Sequence, residues 1–317
     1  MTRKRVIIAL VAVLFILFPL VVKSDYYQHL VILALMWVVI GGSWNLLAGY
    51  TGQISFGHAI FFGTGAYTAG ILANKLGISA WWGMAFGGIT AALIGLFIGW
   101  VCFRLRGPYF ALATIAAGEI FRLVATTWES LTEGMVGIMI LQTFRSKLPY
   151  YYLALFLAAL SLFAFDQVMK SKWGFYFVSI REDQDAAESL GINTTLYKNV
   201  SLLISSFFTG TAGAFYMNYM AFIDPEVVFS LFYISIVAIL VAIIGGAATI
   251  LGPAVGAFIM IGVQETFRSS LFGLAPRWVS QSHALVFGLL VMFVILYMAN
   301  GVVGDWPKIK RLFFRRR

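Results

Sequence analysis

Apolar residues run along this chain in long blocks, and short polar breaks separate them. Taken block by block, the pattern predicts spans over 6–22, 29–48, 54–73, 81–101, 108–127, 149–165, 200–222, 232–248, 252–270 and 283–299. A helix rises about 1.5 Å per residue, so blocks of this length cross roughly 30 Å of hydrocarbon. The expected fold is all-α: a polytopic helical membrane protein with about ten transmembrane helices. A transmembrane barrel would show segments of about ten residues with alternating polarity, and the chain does not read that way. No polar stretch is long enough for a second core, so residues 1–317 read as one integral domain.

Two blocks depart from the simple pattern. The start of 54–73 lies in "GYTGQISFGHAIFFGTGAYTAG", rich in glycine and hydroxyl groups, which suits a broken or partly re-entrant helix. The first block opens with a basic head, "MTRKRV", as a secretory leader would. It has no small-x-small cleavage site and ends in Lys23, so a retained first helix is expected.

One polar break stands out. "SIREDQDAAESLGINTTLYKN", residues 179–199, holds Glu182, Asp183, Asp185 and Glu188, four of the thirteen acids, within seven residues. Ser179 and Glu182 have the spacing of a capping box, which predicts a helix start there. Asp183 and Asp185 then fall near the positive end of the helix dipole. Ala186, Ala187 and Leu190 make a small apolar face, Gly191 suits a helix stop, and Thr194 and Thr195 lead into the next span. A short surface helix is the result. Its physics fits a solvated connector and a partner-docking surface equally well. A lipid-lying helix would carry Lys and Arg in place of these acids.

Composition agrees with the pattern: 61% hydrophobic, 11% charged, mean hydropathy +0.90. The net charge of +9 would suggest nucleic acid in a soluble protein. Here the cations sit at block edges, where they read as topology signals and anionic-lipid contacts, and no nucleic-acid partner is expected. With the N-terminus inside, the cytoplasmic segments collect Arg3, Lys4, Arg5, Arg104, Arg106, Lys170, Lys172, Arg181, Lys198 and six more cations from Lys308 to Arg317. That is fifteen of 22, against seven for the opposite orientation. Both termini and the loop 166–199 are therefore expected in the cytoplasm.

Reaction chemistry is thin. The single Cys102 lies in an apolar run, and His29, His58 and His283 fall in or beside different blocks. No metal site, cofactor or catalytic set is expected on this chain, and G-x-x-x-x-G-K-[ST], the phosphate-cradling loop, is absent. Polar groups inside spans must be satisfied or face water, which singles out Asn45, Gln53, Ser55 and His58. For His58 a helix–helix hydrogen bond is the commoner role. Glu119 and Arg122, three apart, can share a helix face and pair. Gly95-xxx-Gly99 and Gly252-xxx-Gly256 suit close helix packing. An ion-coupled secondary transporter would need membrane carboxylates arranged for coupling, and the acids are sparse. A purely structural scaffold would leave the intramembrane polar groups without purpose.

Residues 179–199 resemble the coupling segment of the membrane subunits of branched-chain amino acid ABC transporters. "WNLLAGYTGQISFGHAIFFGTGAYTAG" (Trp44–Gly70), "RLRGPYFALATIAAGEIFRLVATTWESLTEGMVGI" (Arg104–Ile138) and "IIGGAATILGPAVGAFI" (Ile243–Ile259) are similar to that family's other signature blocks. The chain resembles its LivM-type permeases. The resemblance implies a permease in the bacterial inner membrane, working by alternating access. Its implied partners are a homologous second permease, two ATP-binding subunits and a periplasmic substrate-binding protein. It implies a small amino-acid substrate; urea or short amides, carried by similar subunits, remain an alternative. Coupling to the ATP-binding subunit would fall to Arg181, Glu182, Asp183, Asp185, Ala186, Ala187, Glu188, Leu190 and Gly191. Asn45, Gln53, His58 and Glu119 are the candidates for the translocation path.

Overall fold

The computed structural model describes residues 13–268, with 288, 292 and 301–305. Most of the span expected over 283–299, the start of 6–22, His283 and the basic residues at both termini lie outside the described residues.

Helix α1 covers residues 13–21. α2 (Asp25–Trp44) follows and widens into a π-helical turn, Asn45–Tyr50. An irregular stretch, 51–57, leads to α3 (His58–Leu76). The helix-poor start expected for the 54–73 block is thus real, and regular structure begins only at His58. α4 (Ala80–Cys102) and α5 (Pro108–Thr127) come next, the latter matching its expected limits because Pro108 occupies the first turn after Gly107. Short α6 (Glu129–Thr132) precedes α7 (Leu148–Lys170). α8 (Lys172–Glu182) and α9 (Gln184–Ser189) form the polar break, and α10 (Thr194–Met220) runs back. α11 (Pro225–Val228) leads through a second π turn, Leu231–Ile236, into α12 (Val237–Gly245) and α13 (Gly252–Arg268).

Five of these segments are long and apolar enough to cross a membrane: Asp25–Tyr50, Trp81–Cys102, Pro108–Thr127, Leu148–Lys170 and Thr194–Met220. The architecture is helical, with one exception to the all-α expectation. Strand β1 (Ile138–Met139) pairs antiparallel with β2 (Phe222–Ile223), pinning the α6–α7 connection to the end of α10.

Successive long helices alternate in direction, so the bundle has two distinct ends. Residues 49–57, 103–107, 171–193 and 246–251 gather at one, the polar end. At the other, Lys147 donates to the Asp25 carbonyl (3.0 Å).

Packing falls into two groups. α10 lies against α3 and α4, while α2 lies against α7, α12 and α13. α2 also touches α10, where buried hydroxyls join them: Ser205 donates to the Ser43 carbonyl (2.8 Å) and Thr51 to the Ser201 hydroxyl (2.9 Å). In a core this apolar such bonds act as glue between helices. Both expected glycine pairs sit at helix crossings. A methyl group on Gly95 would lie 2.3 Å from the Ser206 hydroxyl, and one on Gly256 only 1.9 Å from the Val241 carbonyl oxygen.

Candidate functional site

The polar end is built around α9. The expected helix start at Ser179 is not observed. Ser179 lies inside α8 and donates to the Phe175 carbonyl (2.9 Å), while Asp183 caps the next helix by accepting from the Ala186 amide (3.0 Å). Asp183 breaks the chain because its extended backbone (φ −156°, ψ 112°) cannot continue α8. Gly191 does end the helix. Its φ of +83° suits glycine, and two bonds close the end: Gly191 N–H to Glu188 O (2.9 Å) and Ile192 N–H to Ala187 O (3.1 Å).

The α8–α9 unit is strapped to the rest of the chain on three sides. Arg106, in the turn between α4 and α5, binds Asp185 at 2.7 Å and approaches Glu188 at 3.6 Å. Glu188 also accepts from Thr194 at the start of α10 (2.5 Å) and from Gln184 (2.9 Å). Those donors hold its pKa below the usual glutamate value. Gln184 in turn receives the ammonium of Lys198, a lysine only 1% exposed. The sequence pattern had left Lys198 in the loop. In the fold α10 starts at Thr194, capped by Asn193, and draws Lys198 into its first turns. On the third side Arg181 reaches the Gly49 carbonyl at the end of α2 (3.0 Å) and pairs with Glu182 (2.6 Å).

The residues singled out in this segment therefore divide. Of the three residues expected to form an apolar face, only Ala187 is buried against the body. Ala186 and Leu190 point outward, Leu190 being 82% exposed. Much of the acidity has an internal use, holding α9 to Arg106 and Thr194.

The four path candidates each have different hydrogen-bond partners. Asn45 is 2% exposed and clamps the α12–α13 turn, accepting from the Ala248 amide (2.8 Å) and donating to the Thr249 carbonyl (2.9 Å). His58 is fully buried, with Nε2 2.9 Å from the Ser205 hydroxyl. The same Ser205 hydroxyl reaches the Ser43 carbonyl (2.8 Å), so His58 is tied to α10 and through it to α2. Gln53, half-buried in the irregular 51–57 stretch, donates to Thr51 O (3.3 Å). Glu119 lies on α5, where it holds Arg122 in two contacts, one of 3.0 Å. Arg122 also binds Glu226 of α11, a third member that sequence spacing did not suggest.

A cleft of about 260 Å³ opens at the opposite end, lined by His29, Gln142, Arg145, Lys147, Tyr150 and Tyr219. Sequence reasoning missed it, because its walls come from α2, the 142–150 connection and α10. Among the described residues no three His, Cys, Asp or Glu side chains meet as metal ligands would.

These features define a helical integral membrane protein with a capped, charge-strapped surface helix at one end. The chain belongs to the family of branched-chain amino acid transport system permease components, whose model matches residues 26–299. It is similar to the high-affinity branched-chain amino acid transport system permease protein LivM of Escherichia coli K12, at 24% identity over 95% of this chain and 75% of that one. It is also similar to the LivH permease protein of Salmonella typhimurium, at 26% identity over 87% of this chain and 95% of that one. A probable LivM permease protein of Methanocaldococcus jannaschii is 20% identical over 86% and 91% of the two chains. No solved structure matches.

Proposed function

We propose that this chain is one of two homologous permease subunits of an ATP-driven ABC importer of branched-chain amino acids in the bacterial inner membrane. In this reading the polar end faces the cytoplasm, and α9 docks on an ATP-binding subunit. The opposite end, with its cleft, receives a substrate-binding protein. The observation that carries it is the α8–α9 unit: a capped surface helix that presents Ala186 and Leu190 outward while Arg106, Lys198 and Arg181 tie its other sides to the spans. Matches to both LivM and LivH proteins support a pair of permeases.

The straps suggest how force would travel. Closure of the motor dimer displaces α9. Lys198 and Thr194 pass that displacement to α10, Arg106 to the α4–α5 turn, and Arg181 to the end of α2. Rigid elements joined this way rock together, which alternating access requires. ATP is bound and hydrolysed on a separate chain, and this subunit contributes the path.

The test uses the outward face, because Asp185 and Glu188 also hold α9 in place. An Ala186→Arg, Leu190→Asp double variant is purified gently from its native membrane. The ATP-binding subunit should be lost while the second permease is retained, and ATP-dependent leucine uptake into vesicles should disappear. A chain that purifies alone and transports without ATP overturns the reading in favour of an ion-coupled carrier. ATP-driven uptake of urea in place of leucine overturns the substrate alone.

A further inference from the structure

Two neighbouring spans expose very different faces. On α4 the outward stripe is Trp82, Phe86, Ile89, Leu93, Phe97 and Trp100, a purely apolar row at helical spacing. Its tryptophans, eighteen residues apart, stand about 27 Å from each other along the axis. That is close to the hydrocarbon thickness, with an aromatic ring at each interface. α4 therefore looks onto lipid, and it marks where the hydrocarbon lies.

α5 is adjacent and is the least covered of the five long apolar spans among the described residues. Only 17% of its most apolar window is buried, against 83% for α2. Its outward face carries Tyr109, Leu112, Ala116, Glu119, Ile120 and Leu123. Glu119 lies eleven residues from Pro108, about 17 Å from the polar-end interface, inside the slab that α4 marks. There it joins Arg122 and Glu226, and the side chains of Glu119 and Glu226 are 53% and 54% exposed. Two carboxylates share one guanidinium, so the exposed cluster carries a surplus negative charge. Hydrocarbon does not cover such a group: charges in spans turn to protein or to a water-filled seam. Arg122 does not escape toward the headgroups, since both of its ends are bound to carboxylates.

We infer that the open face of α5 seats against the second permease subunit, with Glu119, Arg122 and Glu226 in the seam between the two chains. The occupant is a homologous permease presenting a basic or hydrogen-bond-donating side chain to the cluster. Ala116 lets its helix approach closely. This rests on the two-permease reading above.

The test places a benzoylphenylalanine photocrosslinker at Leu112 on α5 or at Leu93 on α4, in the full complex in membranes. Irradiation should join position 112 to a separate permease-family chain and leave position 93 without a protein adduct. The inference is overturned if position 112 labels only lipid, joins a second copy of this chain, or joins residues 269–300 of its own chain. Co-purification of the unmodified protein separates the two failures. If neither a permease nor an ATP-binding subunit accompanies it, the importer reading falls, and this inference with it. If both accompany it and position 112 misses the permease, only the assignment of the face is wrong.

Discussion

Asn45 commits both ends of its carboxamide to one turn two hundred residues away. Replacing it by leucine leaves the Ala248 N–H and the Thr249 carbonyl without their partner in a buried setting, at a cost of about 2 kcal/mol. The expected outcome is a clear drop in the thermal midpoint of the detergent-solubilised protein, and Asn45→Asp should not restore it, since it still accepts from Ala248 but sets a buried carboxylate oxygen against the Thr249 carbonyl. The sequence marks Asn45 as a polar group needing a partner, but nothing local names residues 248 and 249, so it reads equally as a path residue. Glu188 gives a pH prediction. Hydrogen bonds from Thr194 and Gln184 hold its pKa below 4.5. A carboxyl lowered on folding stabilises above its unfolded pKa and loses that contribution as pH falls through the folded one. The attachment of α9 to α10 should therefore be constant at neutral pH and loosen only below about pH 4.5, the ordinary value for this side chain. Hydrogen exchange across 184–194, corrected for the intrinsic pH dependence of amide exchange, reads this, and Glu188→Gln should lessen the loosening on acidification.

At the scale of the element, α9 has six residues, too few to persist without its ends and its straps. Removing the cap with Asp183→Ala should cost about 1 kcal/mol. Gly191→Ala forces a side chain into left-handed backbone and should cost about 1–2 kcal/mol. Both changes should raise protease cleavage at 183–193 without altering the rest of the bundle. The existence of this helix was legible in the sequence, and so was its stop at Gly191. Its start was not, because Ser179 and Glu182 have the spacing of a capping box although the Ser179 hydroxyl bonds backward to Phe175. α8 was missed for a related reason: its cap, Ser171, follows a span that continues to Lys170, five residues beyond its expected end. α5 could be read to the residue because Gly107 and Pro108 punctuate it.

At the scale of the molecule, block lengths foretold the helices well, and glycine spacing foretold two places where they cross. Which helices meet was beyond it: the α2–α10 contact rests on Ser43, Thr51, Ser201 and Ser205, ordinary hydroxyls in apolar runs. The tightest crossings carry a prediction. Gly256→Ala would place a methyl 1.9 Å from the Val241 carbonyl oxygen, backbone that cannot rotate away. The α12–α13 hairpin should open and take the Asn45 clamp with it. Size-exclusion chromatography should then show loss of the monodisperse folded protein.

Trp82 and Trp100 of α4 also fix a preferred bilayer. Their separation of about 27 Å makes the subunit a gauge of membrane thickness, and lipids with longer acyl chains would impose hydrophobic mismatch on it. Helices relieve mismatch by tilting, and a tilt of α4 would pull on the turn that holds Arg106. Reconstituted transport should therefore peak in bilayers whose hydrocarbon depth matches the tryptophan spacing. On thicker lipid it should fall before the protein itself unfolds.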